Sequence, residues 1–323
     1  MVIRLNEVLN NLNLEHKLIK DLNLSSKPNF SIIAKTLDIS RKTLLSLFKE
    51  IRNKKLINNF SININPNIQP NLKYVFLEIK TNPKEPQIVN ELLKIPQLTM
   101  LDGIFGEYSL MALFIFKTSE EYYTVLNNLD QVMASSYFKK YQLLETIKTF
   151  KINGVELSNK PVSKSLQLDE IDYIILKILN QEQGYKLLST YEIKNILKNK
   201  YKIIISQPTV SLRIKALRSN NIILNYAINF NPKKIGFFGK FIIKIKPADT
   251  SKYDDLALEL EKRKEITHLF RIGEEYGLLA IIRVKKVEDY RFFIMSLYES
   301  REIEDTYTNF VLDEHIIFTN FLY

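Results

Sequence analysis

The 323-residue sequence contains no cysteine and no tryptophan, and this limits the chemistry available to it. Without cysteine, the chain has no disulfide bonds, no thiol nucleophile and no thiolate-bound zinc or iron–sulfur cluster. Histidine is also scarce, since it occurs only at His16, His268 and His315, which argues against a histidine-based metal site. We therefore expect neither a metal nor another bound cofactor.

Glycine is rare, at 8 residues, and the sequence has neither a glycine-rich phosphate loop with its lysine nor a dinucleotide-binding glycine pattern. The longest apolar run, Leu110–Phe116, is far shorter than the about 20 residues that cross a bilayer. Residues Met1–Asn10 lack the apolar stretch of a secretory signal. These absences predict a soluble, cytoplasmic protein.

Positive charge is present in excess, with 46 Lys+Arg against 36 Asp+Glu and a net charge of +10. The excess is confined to residues 1–66, with 11 basic and 5 acidic side chains, and 161–235, with 12 and 5. Residues 67–160 are balanced at 10 and 10, and 236–323 carry 13 basic and 16 acidic side chains. Two basic blocks that alternate with non-basic blocks indicate modules that bind a phosphate backbone.

The charge alternation coincides with an internal repeat. Matching residue types recur 166 positions later between Ser40–Pro66 and Ser206–Pro232, and 168 positions later between Tyr108–Tyr122 and Tyr276–Tyr290. Because one ordered path of matches runs through the whole chain, we interpret the sequence as two copies of one unit.

The first part of each copy has the apolar spacing of three short helices, followed by an extended segment. Asp169 and Ser206 are predicted helix N-caps, and the extended segment is predicted to form a wing. This pattern favours a helix-turn-helix in which the third helix is polar and basic. The predicted segments are Asn11–Leu22, Asn29–Leu37, Ser40–Asn53 and Leu56–Ile64 in copy one, and Asp169–Leu179, Thr190–Lys200, Ser206–Ser219 and Ile222–Phe230 in copy two.

The second part of each copy predicts strands and helices in the order βαββαβ, which is typical of a ferredoxin-like unit. Its sheet is expected to bury one face on two helices and to use the free face for pairing. Aromatic side chains in these elements are expected to pack in the core or the interface: Tyr74, Phe76, Phe114, Phe116, Tyr122, Tyr123, Phe237, Phe238, Phe241, Tyr290, Phe292 and Phe293. The predicted segments are Leu72–Lys80, Glu85–Lys94, Leu98–Phe105, Tyr108–Lys117, Ser119–Leu129 and Tyr137–Phe150, then Gly239–Lys246, Ser251–Arg263, Ile266–Ile272, Tyr276–Lys285, Val287–Leu297 and Ile303–Phe318.

The predicted fold class is therefore α+β, with two winged helix-turn-helix domains that alternate with two ferredoxin-like βαββαβ domains. The expected boundaries are 1–66 for the first helix-turn-helix domain and 67–155 for the first ferredoxin-like domain. The second copy divides into 165–235 and 236–323 in the same order.

Four segments of copy two carry a family resemblance: Leu168-Asp169-Glu170-Ile171-Asp172, Ile175–Leu179, the third-helix stretch Ser206–Leu217 and Asn231–Gly236. Together they resemble the DNA-binding half of the Lrp/AsnC, or feast/famine, family of transcriptional regulators. The βαββαβ part is similar to that family's ligand-sensing and oligomerisation domain. The resemblance implies a regulator rather than an enzyme, with double-stranded DNA as its partner.

The resemblance also implies which residues contact DNA, since the third helix of each helix-turn-helix enters the major groove. Arg213 is expected to bridge guanine acceptors, and Leu47 stands at the matching position of copy one, so that a basic contact is missing there. The candidate DNA-binding residues are Ser40, Arg41, Lys42, Thr43, Ser46, Lys49, Arg52, Ser206, Gln207, Thr209, Ser211, Arg213, Lys215 and Arg218.

Two turns of the sheet domains match the family's sensing turn, although the family's aspartate is absent from both. They are the candidate site of a small effector such as an amino acid, and an ordinary glycine hairpin is the alternative. Family members dock two helix-turn-helix units on DNA, so we predict an intramolecular pseudo-dimer that forms further homo-oligomers and binds an asymmetric operator. The candidate effector residues are Gly103, Gly106, Tyr108, Arg271, Gly273, Tyr276 and Gly277.

Two other function classes remain open from the sequence. Some haem-biosynthesis (sirohaem) decarboxylases resemble the same two-part architecture, and Thr267-His268 followed by Arg271 is loosely similar to a segment of that group. Alternatively, one or both helix-turn-helix units mediate protein contacts instead of binding DNA, which Leu47 favours for copy one.

Overall fold

The computed structural model describes residues 13–23, 28–68, 72–162 and 167–323. The predicted start of the first helix at Asn11 and the predicted domain start at residue 165 lie outside these residues. The chain divides into two compact units, and each unit takes residues from the first half of the chain (1–158) and from the second half (159–323). Unit 1 comprises Met1–Asn65, Asn159–Gly236 and Phe318–Tyr323, and unit 2 comprises Pro66–Ser158 and Phe237–Ile317.

Unit 1 contains two sets of three helices, each followed by one strand. Apart from the first helix, whose preceding residue lies outside the described ranges, the helices begin at side chains that accept hydrogen bonds from the first turn. Asp169 also forms a reciprocal capping box with Asp172. The elements are α1 (13–23), α2 (Phe30–Thr36), α3 (Arg41–Asn53) and β1 (Ile57–Ile64), then α6 (Glu170–Gln181), α7 (Thr190–Tyr201), α8 (Gln207–Ser219) and β7 (Ile223–Phe230).

The strand after each third helix is not a wing, and this corrects the prediction. Strands β1 and β7 pair with each other as an antiparallel two-stranded ribbon. Ser61 lies opposite Ala227, which is 166 positions later, so each strand meets its counterpart from the other half. The ribbon joins the two helical sets into one unit.

Unit 2 contains the predicted order of strands and helices twice, and the mixed helix–strand class is confirmed. Strands β3 and β9 have the predicted bounds. The elements of the first half are β2 (Lys73–Lys80), α4 (Pro86–Leu92), β3 (Leu98–Phe105), β4 (Leu110–Phe116), α5 (Ser119–Ala134), β5 (Lys140–Ile152) and β6 (Val155–Glu156). The elements of the second half are β8 (Gly239–Pro247), α9 (Tyr253–Leu260), β9 (Ile266–Ile272), β10 (Leu278–Val284), α10 (Asp289–Glu299) and β11 (Ile303–Glu314).

The strands of unit 2 form one sheet in the order β2-β4-β3-β11-β8-β10-β9-β5-β6, and β2 also pairs with β5. The halves therefore meet at two edges, β3 against β11 and β5 against β9, and the strand order closes on itself. Pairing through free sheet faces was expected, and the sheets do meet there, because the ring of Phe270 in β9 lies 5.2 Å from that of Phe76 in β2. The hydrogen-bonded edges are an addition that the sequence did not predict.

The core of each half lies between its strands and its helices. Val75, Leu77 and Ile79 of β2 pack with α4 and α5, while Ile243 and Ile245 of β8 pack with α9 and α10. Three aromatic side chains predicted to be in the core are instead exposed, because they lie on the solvent side of a helix or beside a strand. These are Tyr123 at 63%, Phe238 at 63% and Phe292 at 68% exposure.

Within the residues that the structure describes, no helix combines the length and the apolar character that crossing a membrane requires.

Candidate nucleic-acid interface

The third helices, α3 and α8, begin at the same kind of cap. Ser40 accepts a hydrogen bond from the Thr43 amide at 3.0 Å, and Ser206 accepts one from the Thr209 amide at 3.2 Å. In both caps the serine and threonine hydroxyls are also 2.8 Å apart. The two serines therefore satisfy free amides at the helix N-termini, and the two threonine hydroxyls bind the serine hydroxyls, so all four predicted DNA contacts also have a structural role.

Each third helix buries one side and leaves the opposite side open. In α3 the buried side chains are Leu44, Leu47 and Ile51, and in α8 they are Val210, Ile214 and Leu217. The opposite side follows the i, i+3, i+4, i+7 spacing of one helix face. It consists of Lys42, Leu45, Ser46 and Lys49 in α3 and of Pro208, Ser211, Leu212 and Lys215 in α8, all exposed.

Exposed leucines on both outer faces are the feature that sequence reasoning missed. Leu45 is 50% exposed and Leu212 is 67% exposed. A leucine within an amphipathic helix is normally assigned to the core, and only its position one residue off the buried stripe marks it as outward-facing. Apolar side chains on a groove-reading face can contact the methyl group of thymine.

The basic side chains differ between the two helices. Arg41, Lys42, Lys49 and Arg52 of α3 are all exposed, so this helix presents a dense positive surface. In α8, Lys215 and Arg218 are exposed. Two arginines lie over tyrosine rings, with Arg52 4.4 Å from the centre of Tyr185 and Arg218 5.9 Å from that of Tyr226. These contacts fix the positions of the arginine side chains while leaving them accessible.

Arg213, the residue predicted to bridge guanine, is held by two carboxylates. Its Nη1 lies 2.8 Å from Asp169 Oδ2 and 2.9 Å from Asp172 Oδ1, at the N-terminus of α6. The hydrogen bond to Asp172 raises the pKa of Arg213 above its ordinary value. The side chain is 27% exposed, so the structure gives it a role in joining α8 to α6.

The position matching Arg213 in copy one also faces inward, because Leu47 is only 7% exposed. Leu47 is therefore a core residue, and its apolar character does not remove a contact from the outer surface. Gln207 has a partner as well, since its Nε2 donates to Thr190 Oγ1 at 3.1 Å and links α8 to α7.

The ribbon between the helical sets is symmetric in its side chains as well as its register. Asn63 Nδ2 donates to Asn225 Oδ1 at 3.0 Å, and Asn229 Nδ2 donates to Asn59 Oδ1 at 3.1 Å. The second contact repeats the first with the halves exchanged, since Asn229 and Asn225 lie 166 positions after Asn63 and Asn59. The two third helices thus belong to one compact unit built around a local two-fold axis.

The first candidate effector turn lies against β11. A side chain at Gly106 would meet Asn309 Oδ1 at 2.4 Å, and Gly103 lies opposite Asp313 in the strand register. Asn309 is 1% exposed, and within the described residues neither of its side-chain polar atoms has a hydrogen-bond partner. Tyr108 points elsewhere, since its hydroxyl donates to Gln142 Oε1 at 3.0 Å.

The second candidate turn lies beside α9. The guanidinium of Arg271 stacks on Tyr253 at 3.4 Å from the ring centre, and in the described part of the chain its buried Nη1 has no hydrogen-bond partner. Gly277 has φ +80°, and a side chain there would meet Arg271 Nη1. Tyr276 donates to Asp305 Oδ2 at 3.0 Å, and the Gly273 amide donates to the Glu145 carbonyl at 3.1 Å.

Of the residues behind the decarboxylase alternative, Thr267 contacts His268, with Oγ1 and Nδ1 3.0 Å apart, but Arg271 does not converge with them. Arg271 stacks on Tyr253, on the helix-covered face of the sheet, whereas the ring of His268 lies 6.2 Å from that of Phe270, on the face where the halves meet. Residues three positions apart in a strand point to opposite faces. Burial, followed by Lys240, Arg283 and Lys151, lowers the pKa of His268 to about 3, so its imidazole is neutral.

In a comparison with protein families, residues 240–320 match the Lrp/AsnC ligand binding domain. These residues cover most of the second-half strands and helices of unit 2, including the turn with Arg271 and Gly277.

Similar sequences include transcriptional regulators of archaea. The HTH-type transcriptional regulator FL11 of Pyrococcus abyssi is 28% identical over 152 residues, which are 46% of this chain and 93% of that protein. The HTH-type transcriptional regulator LrpA of Pyrococcus abyssi is 32% identical over 124 residues, 38% of this chain and 79% of that protein. Each alignment covers less than half of this chain, which is about twice as long as these relatives.

Among solved structures, the siroheme decarboxylase NirDL is similar over 94% of this chain and 91% of its own, with a TM-score of 0.58. The sequence identity is 12%, so the likeness is one of fold.

Proposed function

This chain belongs to the Lrp/AsnC family, and from that premise we propose that it is a sequence-specific DNA-binding transcriptional regulator with two DNA-reading helices in one polypeptide. The observation that carries the proposal is the pair α3 and α8. Both helices are capped alike, both leave a polar and basic face open, and both lie in unit 1 around one local two-fold axis. A helix fits the major groove, and a basic face supplies phosphate contacts.

The proposed architecture is a tandem duplication that forms an intramolecular pseudo-dimer. Helix-turn-helix domains at 1–66 and 165–235 alternate with ferredoxin-like domains at 67–155 and 236–323. The register of β1 with β7 and the repeated βαββαβ order support this division. In a family of symmetric DNA readers, two such helices contact half-sites about 34 Å apart along the duplex.

We assign base contacts to the outer faces of the helices and phosphate contacts to the flanking basic residues. Lys42, Leu45 and Ser46 read one half-site, while Ser211 and Leu212 read the other. Arg41, Lys49, Arg52, Lys215 and Arg218 contact phosphates, because they are exposed and carry full charges. Arg213 is left out, since its guanidinium already binds Asp169 and Asp172.

The two reading faces differ, so the proposed operator is asymmetric. The face of α3 contains Lys42 where that of α8 contains Pro208, and the order of leucine and serine is reversed, with Leu45-Ser46 against Ser211-Leu212. Since discrimination depends on the side chains that reach base edges, unlike faces select unlike half-sites.

The effector site is proposed at the turn with Arg271 and Gly277. A buried guanidinium nitrogen with no partner among the described residues is suited to an anionic group such as the carboxylate of an amino acid. Asn309 beside Gly106 offers a neutral amide at the corresponding turn of the first half. An amino acid bound at the Arg271 turn is therefore expected to lose affinity in Arg271→Lys, because lysine cannot form a bidentate contact.

A gel-shift series with the full chain on its own promoter DNA tests the DNA-binding proposal. Arg41→Ala/Lys49→Ala, which removes two of the assigned phosphate contacts, is expected to weaken binding to all sequences and to reduce the slope of log affinity against log salt by up to about two. Lys285→Ala, an exposed lysine of unit 2, is the matched control and is expected to leave the slope unchanged. A wild-type chain that binds neither promoter nor random DNA would end the regulator proposal.

A decarboxylase of the sirohaem type is the second candidate, and the fold of NirDL is what favours it. Its test is the absorbance spectrum of the full chain with an iron porphyrinoid carrying carboxylate groups. A spectral shift that His268→Gln abolishes would support the enzyme, and an unchanged spectrum would count against it. The protein-interaction alternative loses its main argument, because Leu47 is a core residue rather than a lost surface contact.

A further inference from the structure

A buried ion pair joins equivalent positions of the two sheets in unit 2. Lys244 Nζ lies 3.0 Å from Glu78 Oε2, and the side chains are only 8% and 1% exposed. Lys244 is 166 positions after Glu78, and the strand registers agree, since Glu78 lies opposite Met111 as Lys244 lies opposite Leu279. The two side chains thus occupy the same place in their sheets and meet on the local two-fold axis of unit 2.

A second ion pair crosses between the halves in the same direction. Lys240 Nζ of β8 lies 2.5 Å from Asp102 Oδ2 of β3, with side chains 7% and 1% exposed. The acid again comes from the first half and the base from the second. Glu314 of the second half binds Arg283 and also lies 3.4 Å from Lys240, so Lys240 has acidic partners in both halves.

A residue on a two-fold axis meets its own copy when two identical halves pair. Two first halves would bury Glu78 against another Glu78, and two second halves would bury Lys244 against another Lys244. Like charges in a water-poor interface repel strongly. Glu274 of the second half lies 3.7 Å from Lys244 and offsets part of the repulsion between two second halves, so the repulsion is expected to be larger between two first halves. The combination of one first half with one second half pairs the charges.

We propose that Glu78 and Lys244, supported by Asp102 and Lys240, determine which sheet can pair with which, so that each half accepts only the unlike half. The buried pair acts as a specificity element: it selects the pseudo-dimer against assemblies in which chains pair through like halves. This inference rests on the proposed pseudo-dimer but is independent of DNA binding.

The first test is a charge-reversal cycle in the full chain. Glu78→Lys places two lysines on the axis, Lys244→Glu places two glutamates there, and the double variant restores an ion pair in reverse. Each single variant is expected to lower the midpoint of thermal unfolding by about 5–15 °C, and the double variant is expected to recover at least half of that loss.

Two exposed charges without an ion pair in the described residues are the matched controls, Glu120→Lys and Lys285→Glu. They make the same changes of charge and are expected to leave the midpoint nearly unchanged. If the midpoint of thermal unfolding falls in the double variant by as much as in the two single variants combined, the charges do not interact and the proposal is wrong.

The second test mixes the two single variants and measures pairing directly. In a dimer in which the two chains exchange halves, the first half of each chain pairs with the second half of the other. An E78K chain and a K244E chain that pair in this way have opposite charges at both interfaces. Co-expression with different tags is therefore expected to give co-capture and a particle of twice the chain mass. The wild type co-expressed with itself under two tags measures the capture that any further homo-oligomer gives, and capture between the two variants is expected to exceed it. This outcome remains readable even if a single variant is insoluble alone, because the partner restores its pairing.

Absence of co-capture, or equal capture in the wild type, would overturn the proposal. A gel shift with the double variant separates this result from the DNA-binding proposal. Retained DNA binding together with failed co-capture would refute only the pairing role, whereas successful co-capture without DNA binding would refute only the regulator.

Discussion

Positions 47 and 213 are equivalent in the two halves of unit 1, yet they stabilise their helices in different ways. Leu47 is an apolar core residue, 7% exposed. Arg213 instead binds the two carboxylates that cap α6. The first helices of the two halves match at an offset of 157, so the carboxylate matching Asp172 is Glu15, which is 1% exposed and lies 2.7 Å from Lys54 Nζ. The acid is thus present in both halves, and its counter-charge comes from a different helix position.

This comparison shows that divergence between the halves is coupled. A leucine replaces the arginine only where another base, Lys54, neutralises the buried acid. Burying a carboxylate without a partner is costly, so the two positions cannot change independently. The caps at Ser40 and Ser206, by contrast, depend only on their own helix, and both halves keep the same residues there.

The largest effect is expected from exchanging the two residues. Leu47→Arg restores the arginine of the second half but places a charge in an apolar core whose acid is already paired, and it is expected to lower the free energy of unfolding by about 3 kcal/mol or more. Arg213→Leu leaves Asp169 and Asp172 without their base. Because that site is partly solvated, the variant is expected to lower the free energy of unfolding by only about 1–2 kcal/mol. Urea denaturation followed by circular dichroism measures both.

The order of these two effects is the decisive result. Equal losses would mean that positions 47 and 213 have interchangeable surroundings, in conflict with the exposures of the two side chains. Leu45→Arg is the matched control, since it adds the same group to the exposed face of the same helix and is expected to change stability by less than about 0.5 kcal/mol.

The local elements of this fold were predictable because their signals are local. The caps at Ser206 and Asp169 and the strands Leu98–Phe105 and Ile266–Ile272 depend on side chains within a few residues of each other. Strand partners were not predictable in this way. The segment expected to be a wing pairs with its counterpart 166 positions away, and nothing in an alternating strand pattern specifies which edge it meets.

The candidate site was only partly predictable for the same reason. The net charge of each block pointed to both third helices. It could not distinguish a basic side chain that is free to contact DNA from one that is already bound to a carboxylate. Arg213 and Asp172 are 41 residues apart in sequence, so their contact follows from helix packing. For Leu212 the error has the opposite sign. Its apolar character gave no reason to place it on the DNA-reading face, although the structure exposes it.

A second comparison concerns Met100 and His268, which match at an offset of 168. The folded-state pKa of His268 is lowered to about 3, whereas an unfolded imidazole titrates near about 6.5. Below that pH the unfolded chain binds a proton that the folded chain does not. Above about pH 6.5, His268 therefore does not lower the free energy of unfolding. Below that pH, the free energy of unfolding falls by up to about 1.4 kcal/mol per pH unit.

His268→Met, which copies the first half, is expected to remove this part of the pH dependence. Denaturation midpoints of the wild type and the variant at pH 7.5, 6 and 5 measure it, and the carboxylates common to both chains cancel in the difference. Parallel curves over this range would show that the folded and unfolded chains bind a proton at His268 equally well, in conflict with its lowered pKa. The expected difference is smaller than the effect of Leu47→Arg because only part of the range between the two pKa values is sampled.

The smallest effect is expected from the exposed leucines, which sharpen the comparison of the two reading faces. Leu45→Ala and Leu212→Ala leave the core untouched and are expected to weaken specific DNA binding by about threefold each, the loss for about one buried methylene group. Because each leucine faces only one half-site, each variant is expected to lose discrimination at a thymine in its own half-site and to keep it in the other. Competition gel shifts with single-base operator variants measure this, and a loss shared equally by both half-sites would mean that the helices do not read DNA separately.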